Sequence, residues 1–298
     1  ALHTDQPGAP PDGTASTDVD RTGTYEPDAL GRTRRKYCYN ILVSGLDDDN
    51  GGSDTNILVR FDVPNKRIDL VSLPRDTLLH NEYRNNKLNF AYAKGGTELL
   101  MEQIENLLGI PVDFYVTVNL KGFIALVEQI DGVDFDIPIN MDYDDPYQDL
   151  HIHFTKGPRH LNGQEAMEVV RFRHLFDGTC FVTEYIGRIG TQQAFLKAVA
   201  KQLLQIGNVK NIPALVDIFY TYVKTDLTTG NLVWLGNEAL NIGTENIHFA
   251  TLPGDGSGYY NKQSVYVLDA QATCDLVNEA LNPYNEALTL EDMDILVP

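Results

Sequence analysis

Asp47, Asp54, Arg75 and Asp76 are the residues near the front of this chain whose types suit phosphate and a hard cation. Two carboxylates facing one loop repel each other unless a cation lies between them. Magnesium suits that position, because it takes one or two protein carboxylates and completes its shell with water and phosphate oxygens. Gly51 and Gly52 let the backbone come close. The plainer alternative is that Asp47 and Asp54 cap turns, as aspartates often do. Further along come Val170-Arg171-Phe172-Arg173-His174 and Gly187-Arg188-Ile189, with Gln192 following. Arginine is suited to planar, bidentate contact with phosphate, and three in a short stretch of an acidic chain need anionic partners. Phosphate and the protein's own carboxylates both meet that need.

The elements around these residues decide whether they meet. Asn40 to Ser44 is a β-branched run and reads as the first strand. Asn56 to Asp62 and Arg67 to Leu73 are joined by Val63-Pro64-Asn65-Lys66, which favours a tight antiparallel reversal. Asp47 follows the end of the first strand, Asp54 precedes the second, and the third runs back, so Arg75 and Asp76 are expected at the same edge. Glu98 to Leu108 has helical spacing and stops at Gly109 before Pro111. Strands are expected at Phe114 to Leu120, Val133 to Ile137 and Ile247 to Leu252. Helices are expected at Gly122 to Ile130, Gly163 to Phe172, Gln192 to Ile206, Ile212 to Val223, Leu232 to Leu240 and Ala270 to Leu281. The stretch MDYDDPYQDL reads as a loop. The alternation predicts an α/β fold, a central mixed sheet flanked by helices.

Composition narrows the function. The chain has 298 residues, 43% hydrophobic, and a formal charge of −19. That length suits one domain of up to roughly 250 residues plus tails. Residues 1–36 are Gly, Pro, Asp and Thr rich and read as a disordered stalk, leaving 37–298 as a single domain. The negative charge argues against nucleic-acid partners and against adsorption to anionic membranes through basic patches. Cys38, Cys180 and Cys274 have no metal-type spacing. No apolar run of about 18 residues would span a bilayer, and the chain opens at Ala1, so any anchor or signal upstream would lie outside it.

The ordered motifs resemble the LytR-CpsA-Psr proteins of bacterial cell envelopes over roughly Tyr37 to Leu204. They are Asn40-Ile41-Leu42-Val43 into Gly45-Leu46-Asp47, Ser53-Asp54-Thr55, Ser72-Leu73-Pro74-Arg75-Asp76, Lys87-Leu88-Asn89, Leu107 to Asp113, Asp131-Gly132-Val133, His160 to Gly163, Val170 to His174 and Gly187-Arg188-Ile189. The resemblance implies a sheet enclosing a hydrophobic tunnel for a polyprenyl tail. It implies a phosphotransferase that moves a glycopolymer, of teichoic acid or capsular type, from a polyprenyl-pyrophosphate carrier to peptidoglycan. It also implies an extracytoplasmic protein anchored in the membrane by a helix preceding Ala1. By motif, Asp47 and Asp54 are the implied Mg2+ ligands. Arg75, Arg171, Arg173, Arg188 and Gln192 are the implied pyrophosphate contacts, with Asp76 orienting Arg75. Gly52, Tyr185 and Thr191 depart from the family pattern, which usually has arginine at the first and often at the last. One lost charge-assisted contact costs about 1.5–3 kcal/mol, so a binding-only protein stays open beside the transferase, as does a magnesium-dependent lipid pyrophosphate hydrolase.

Other groups have bland readings beside sharper ones. His151 and His153 would share one face if their stretch were a strand, and could bind zinc with His160 or His174, although satisfied loop histidines are the simpler expectation. Phe123, Leu126, Val127, Phe195, Leu196 and Val199 fit a lipid tunnel and a core equally, since periodicity does not separate them. Cys180 lies near a histidine without a third group to activate it.

Overall fold

The structure is a computed structural model that describes residues 27–46, 51–145, 150–172, 191, 194–202 and 220–298. It divides into two compact units, one running to Val118 and resuming at Lys224, the other Asn119–Val223.

The first unit is built on a six-stranded mixed sheet. Its strands are β1 (Cys38–Leu46), β2 (Ser53–Asp62), β3 (Arg67–Leu73), β4 (Phe114–Val118), β9 (Val223–Thr225) and β10 (Ile247–Thr251), in the order β10-β3-β2-β1-β4-β9. The hairpin expected from Val63 to Lys66 forms, with β2 and β3 antiparallel and Asn56 opposite Leu73. β1 pairs antiparallel with β2 and parallel with β4, while β10 joins β3 in parallel. Cys38 to Leu42 is buried at every position, as expected of a strand covered on both faces. Helix α1 (Leu88–Leu108) packs on β2, and α5 (Thr229–Ile242) and α6 (Ala270–Ala280) pack on β3. A further hairpin, β11 (Gly254–Tyr260) with β12 (Gln263–Leu268), went unread in the sequence.

α1 begins ten residues before the expected Glu98 because it is two helical pieces broken at Gly95 and Gly96. Gly96 has φ +66° and ψ −157°, backbone that is essentially glycine's alone. A buried cross-strand pair, Arg60 with Asp69 at 2.7 Å, crosses β2 and β3. Arg67 also holds Asp69, at 2.8 Å, so it is the loss of Asp69 that would strand the buried Arg60 charge, at a cost of about 3–5 kcal/mol.

Residues 28–36, assigned to the stalk by composition, are tied onto this unit. Arg34 pairs with both oxygens of Asp113 at 2.5 and 2.7 Å, Arg35 with Asp62 at 2.7 Å, and Thr33 donates to Glu286 at 2.9 Å. Charged partners far along the chain hold a segment that has too few apolar side chains to hold itself.

The second unit contains α2 (Leu120–Gln129), β5 (Val133–Ile137), β6 (Met141–Asp145), β7 (Leu150–Phe154), β8 (Gly157–Leu161), α3 (Gly163–Arg171) and α4 (194–202). β6 pairs with β7 and β5 with β8, both antiparallel. Much of the stretch read as a loop is therefore strand. Its alternation is visible once the faces are known: Met141, Leu150, Ile152 and Phe154 are buried, while Asp142, Asp144, His151 and His153 are exposed. α3 opens with a capping box between Asn162 and Glu165. Val127, Phe195 and Val199, left open between tunnel and core, lie in one buried cluster with Phe135, Ile152 and Leu161, and Phe123 packs against it. Val223 is a strand residue rather than the end of a helix, and the rest of that expected helix before Tyr220 lies outside the described residues. Among the described residues no helix is long and apolar enough to cross a membrane.

Candidate functional site

The register of β2 on β3 sets the site. Asn56 faces Leu73, so Asp54, two residues earlier on β2, comes opposite the chain two residues beyond Leu73, at Arg75. Arg75 Nη1 donates to Asp54 Oδ1 at 2.6 Å. Both side chains are partly exposed, 24% for Arg75 and 34% for Asp54, so the pair sits at the rim rather than in the core.

The loop after β3 is held from two sides. Thr77 donates through its amide and hydroxyl to the Pro74 carbonyl at 3.0 and 2.6 Å, and Tyr266 of β12 donates its amide to the Asp76 carbonyl at 2.8 Å. The Asn89 amide, at the start of α1, donates to the Arg75 carbonyl at 2.9 Å. On the other strand, Ser44 donates to the Asn56 side chain at 3.2 Å, and Asn56 reaches back to the Ser53 carbonyl at 3.4 Å. These polar groups are buried, so their bonds fix the backbone beneath Asp54.

Asp76 lies within ion-pairing distance of Arg75, the residue it was expected to orient, and also of a second cation. Its carboxylate lies 3.8 Å from Arg75 Nε but 3.0 Å from Lys87 Nζ. Lys87 is therefore a site residue that charge reasoning missed, although the motif Lys87-Leu88-Asn89 marked the segment. It occupies the N-cap of α1 without capping it. The result is a row of alternating charge, Asp54, Arg75, Asp76 and Lys87, in which two cations are held in place by two carboxylates. Such a row offers an incoming phosphate a preset guanidinium, and offers a hard cation a carboxylate.

Arg171 forms the last turn of α3 in the second unit, where a cation favours the helix C-terminus. Asp47, Arg173, Arg188 and Gln192 lie outside the described residues, as do His174, Cys180 and Tyr185. Gly52 stands beside the row, and a Cβ there would meet only the Asn89 carbonyl, at an ordinary 3.5 Å. Cys38 and Cys274 are free and buried, and burial pushes the Cys38 thiol up to about 12, which removes it from nucleophilic chemistry.

Residues 13–282 match the LytR_cpsA_psr family. The chain is similar to the polyisoprenyl-teichoic acid–peptidoglycan teichoic acid transferase TagV of Bacillus subtilis (strain 168), with 31% identity over 80% of this chain and 62% of that protein. It is also similar to the corresponding transferase TagU of Bacillus cereus, with 30% identity over 88% of this chain and 83% of that protein. The chain thus spans less than two thirds of the length of its TagV relative. The crystal structure of B. subtilis TagV superposes with a TM-score of 0.70 at 26% identity, covering 87% of this chain and 98% of that one.

Proposed function

The chain belongs to the LytR-CpsA-Psr family, and we propose that it transfers a glycopolymer of the teichoic acid class from a polyprenyl-pyrophosphate carrier to peptidoglycan at the outer face of the cell membrane, held there by an upstream anchor. The observation that carries this reading is the Arg75–Asp54 pair at 2.6 Å, set by strand register beside the Asp76–Lys87 pair. Support comes from two relatives named as teichoic acid transferases at 30–31% identity.

In that reaction the acceptor hydroxyl of peptidoglycan attacks the phosphorus that bears the glycan. A P–O bond to the acceptor forms, the P–O bond to polyprenyl phosphate breaks, and a base takes the hydroxyl proton. Little covalent help is needed, because the demand is for positioning and charge neutralisation. Arg75 meets that demand with donors already oriented by Asp54, so no reorganisation is needed as charge builds on the leaving group. Lys87 engages Asp76 and so limits its competition for the guanidinium. By motif alone, Arg171, Arg173, Arg188 and Gln192 are the residues that would add further donors. The oxygen donors of Asp54 fit a hard cation, and with Asp47 they would hold a magnesium ion that neutralises pyrophosphate charge.

The missing arginine at Gly52 favours a second reading, in which the same edge binds the carrier without turnover. Incubation of the full chain with a synthetic polyprenyl-pyrophosphate-linked glycan and peptidoglycan separates these readings. Glycan phosphodiester-linked to peptidoglycan is the expected product. Release of glycan phosphate at an equal rate without acceptor would make the protein a hydrolase, and binding with no product would make it a carrier-binding protein.

A further inference from the structure

We propose that Asp144, His151 and His153 form a binding site for a borderline divalent cation of the zinc class on the exposed face of the β6–β7 hairpin. The three ligand atoms already lie within 4.8 Å of one another. The hairpin register places Asp144 directly opposite His151, and His153 is the next residue of β7 on the same face. The opposite face resists change, because Met141, Leu150, Ile152 and Phe154 are buried and a one-residue slip of β7 would expose the last three.

Ligand geometry favours a small tetrahedral ion. With zinc bonds of about 2.0–2.1 Å, neighbouring ligand atoms in a tetrahedron sit roughly 3.3 Å apart. His153 Nε2 lies 3.4 Å from Asp144 Oδ1, near that separation. His151 Nδ1 is closer, at 2.5 Å from the same oxygen, and its side chain is 56% exposed, so it has room to withdraw. Asp142 is the second observation that points to a metal. Its Oδ1 lies 2.7 Å from His153 Nδ1, which fixes the ring with Nε2 towards the other two ligands. A carboxylate that orients a ligating histidine through its other nitrogen is a recurring companion of metal sites. Two imidazoles and one carboxylate select zinc, nickel or copper over magnesium and calcium. Three protein ligands leave a coordination position for water or for an oxygen of a bound molecule.

The plain alternative is a set of cross-strand ion pairs, and the protein contains its own control for it. His160 faces Asp134 across β5 and β8 at 2.7 Å, the same kind of pair, with no second histidine grouped with it among the described residues. Titration of the full chain with zinc against a chromogenic chelator tests the proposal. One zinc per chain is expected. Replacing His151→Asn and His153→Asn together should weaken it by more than about a hundredfold, and Asp142→Asn by about ten- to a hundredfold. His160→Asn and millimolar magnesium should leave it unchanged. Equal affinity in the double variant, equal loss in His160→Asn, or no zinc bound by the wild type at micromolar concentration would overturn the proposal. X-ray absorption of the zinc-loaded wild type supplies a check that needs no variant: two imidazoles and a carboxylate are expected, and any other protein ligand set overturns it.

Discussion

The β2–β3 and β6–β7 hairpins each set an aspartate against a cationic partner across antiparallel chains, but at different depths and with different chemistry. Asp54, at the start of β2, and Arg75, in the loop after β3 pinned by Thr77, Tyr266 and Asn89, remain two-thirds and three-quarters covered respectively. Asp144 and His151 meet within the paired strands on an open face, more than half exposed. Guanidinium at a covered rim keeps its charge at every physiological pH and suits a phosphate. Imidazole on an open face offers a nitrogen lone pair and suits a borderline metal. The same cross-strand geometry therefore gives two sites whose ligands should not interchange.

The largest expected effect breaks the covered site. Arg75→Ala should lower glycopolymer transfer by about a hundred- to a thousandfold, as loss of one oriented donor does elsewhere, while its circular dichroism and zinc titration match the wild type. If zinc affinity fell with it, the two hairpins would not be the independent sites described. A gain of function sharpens the comparison next. A Cβ at Gly52 makes only ordinary contact with the Asn89 carbonyl, and Gly52→Arg should tighten binding of a prenyl pyrophosphate by roughly tenfold. Unchanged or weakened affinity would show that Gly52 does not face the anion.

Lys87→Ala should have a smaller effect. It releases Asp76 to compete for Arg75, and a partly exposed ion pair is worth about 0.2–1 kcal/mol, so transfer should fall by no more than about fivefold, through KM. A thousandfold loss in kcat would instead make Lys87 a contact of the reacting phosphate.

The smallest effect belongs to the open face. The Asp134 carboxylate raises the titration of His160 above its ordinary 6.5. The pair's contribution to stability is therefore complete below 6.5 and fades as pH rises through the raised value. The melting temperature of His160→Asn should fall below that of the wild type near about pH 5.5 and rejoin it by about pH 8. A deficit that grew with pH would reverse the assignment.

The covered edge was legible in the sequence because a tight turn at Val63 to Lys66 dictates register, and register dictates that Asp54 meets Arg75. The helix before Glu98 was not, since Gly95 and Gly96 interrupt it and a period-seeking reading stops at the break. β6 and β7 were hidden because their outward positions carry Asp and His, the composition of a loop, and only the inward Met141, Leu150, Ile152 and Phe154 reveal the period of two. Lys87 was missed because its partner, Asp76, was expected to turn towards Arg75. Residues 28–36 were misjudged by composition, since their arginines bind to Asp113 and Asp62 through charge that hydrophobicity does not measure.

Calorimetric titration of a short prenyl pyrophosphate into wild type and Arg75→Ala measures whether the Asp54–Arg75 edge holds a pyrophosphate. Loss of one charge-assisted contact should weaken binding by about 1.5–3 kcal/mol, roughly ten- to a hundredfold. Equal affinity in a folded Arg75→Ala protein would contradict it.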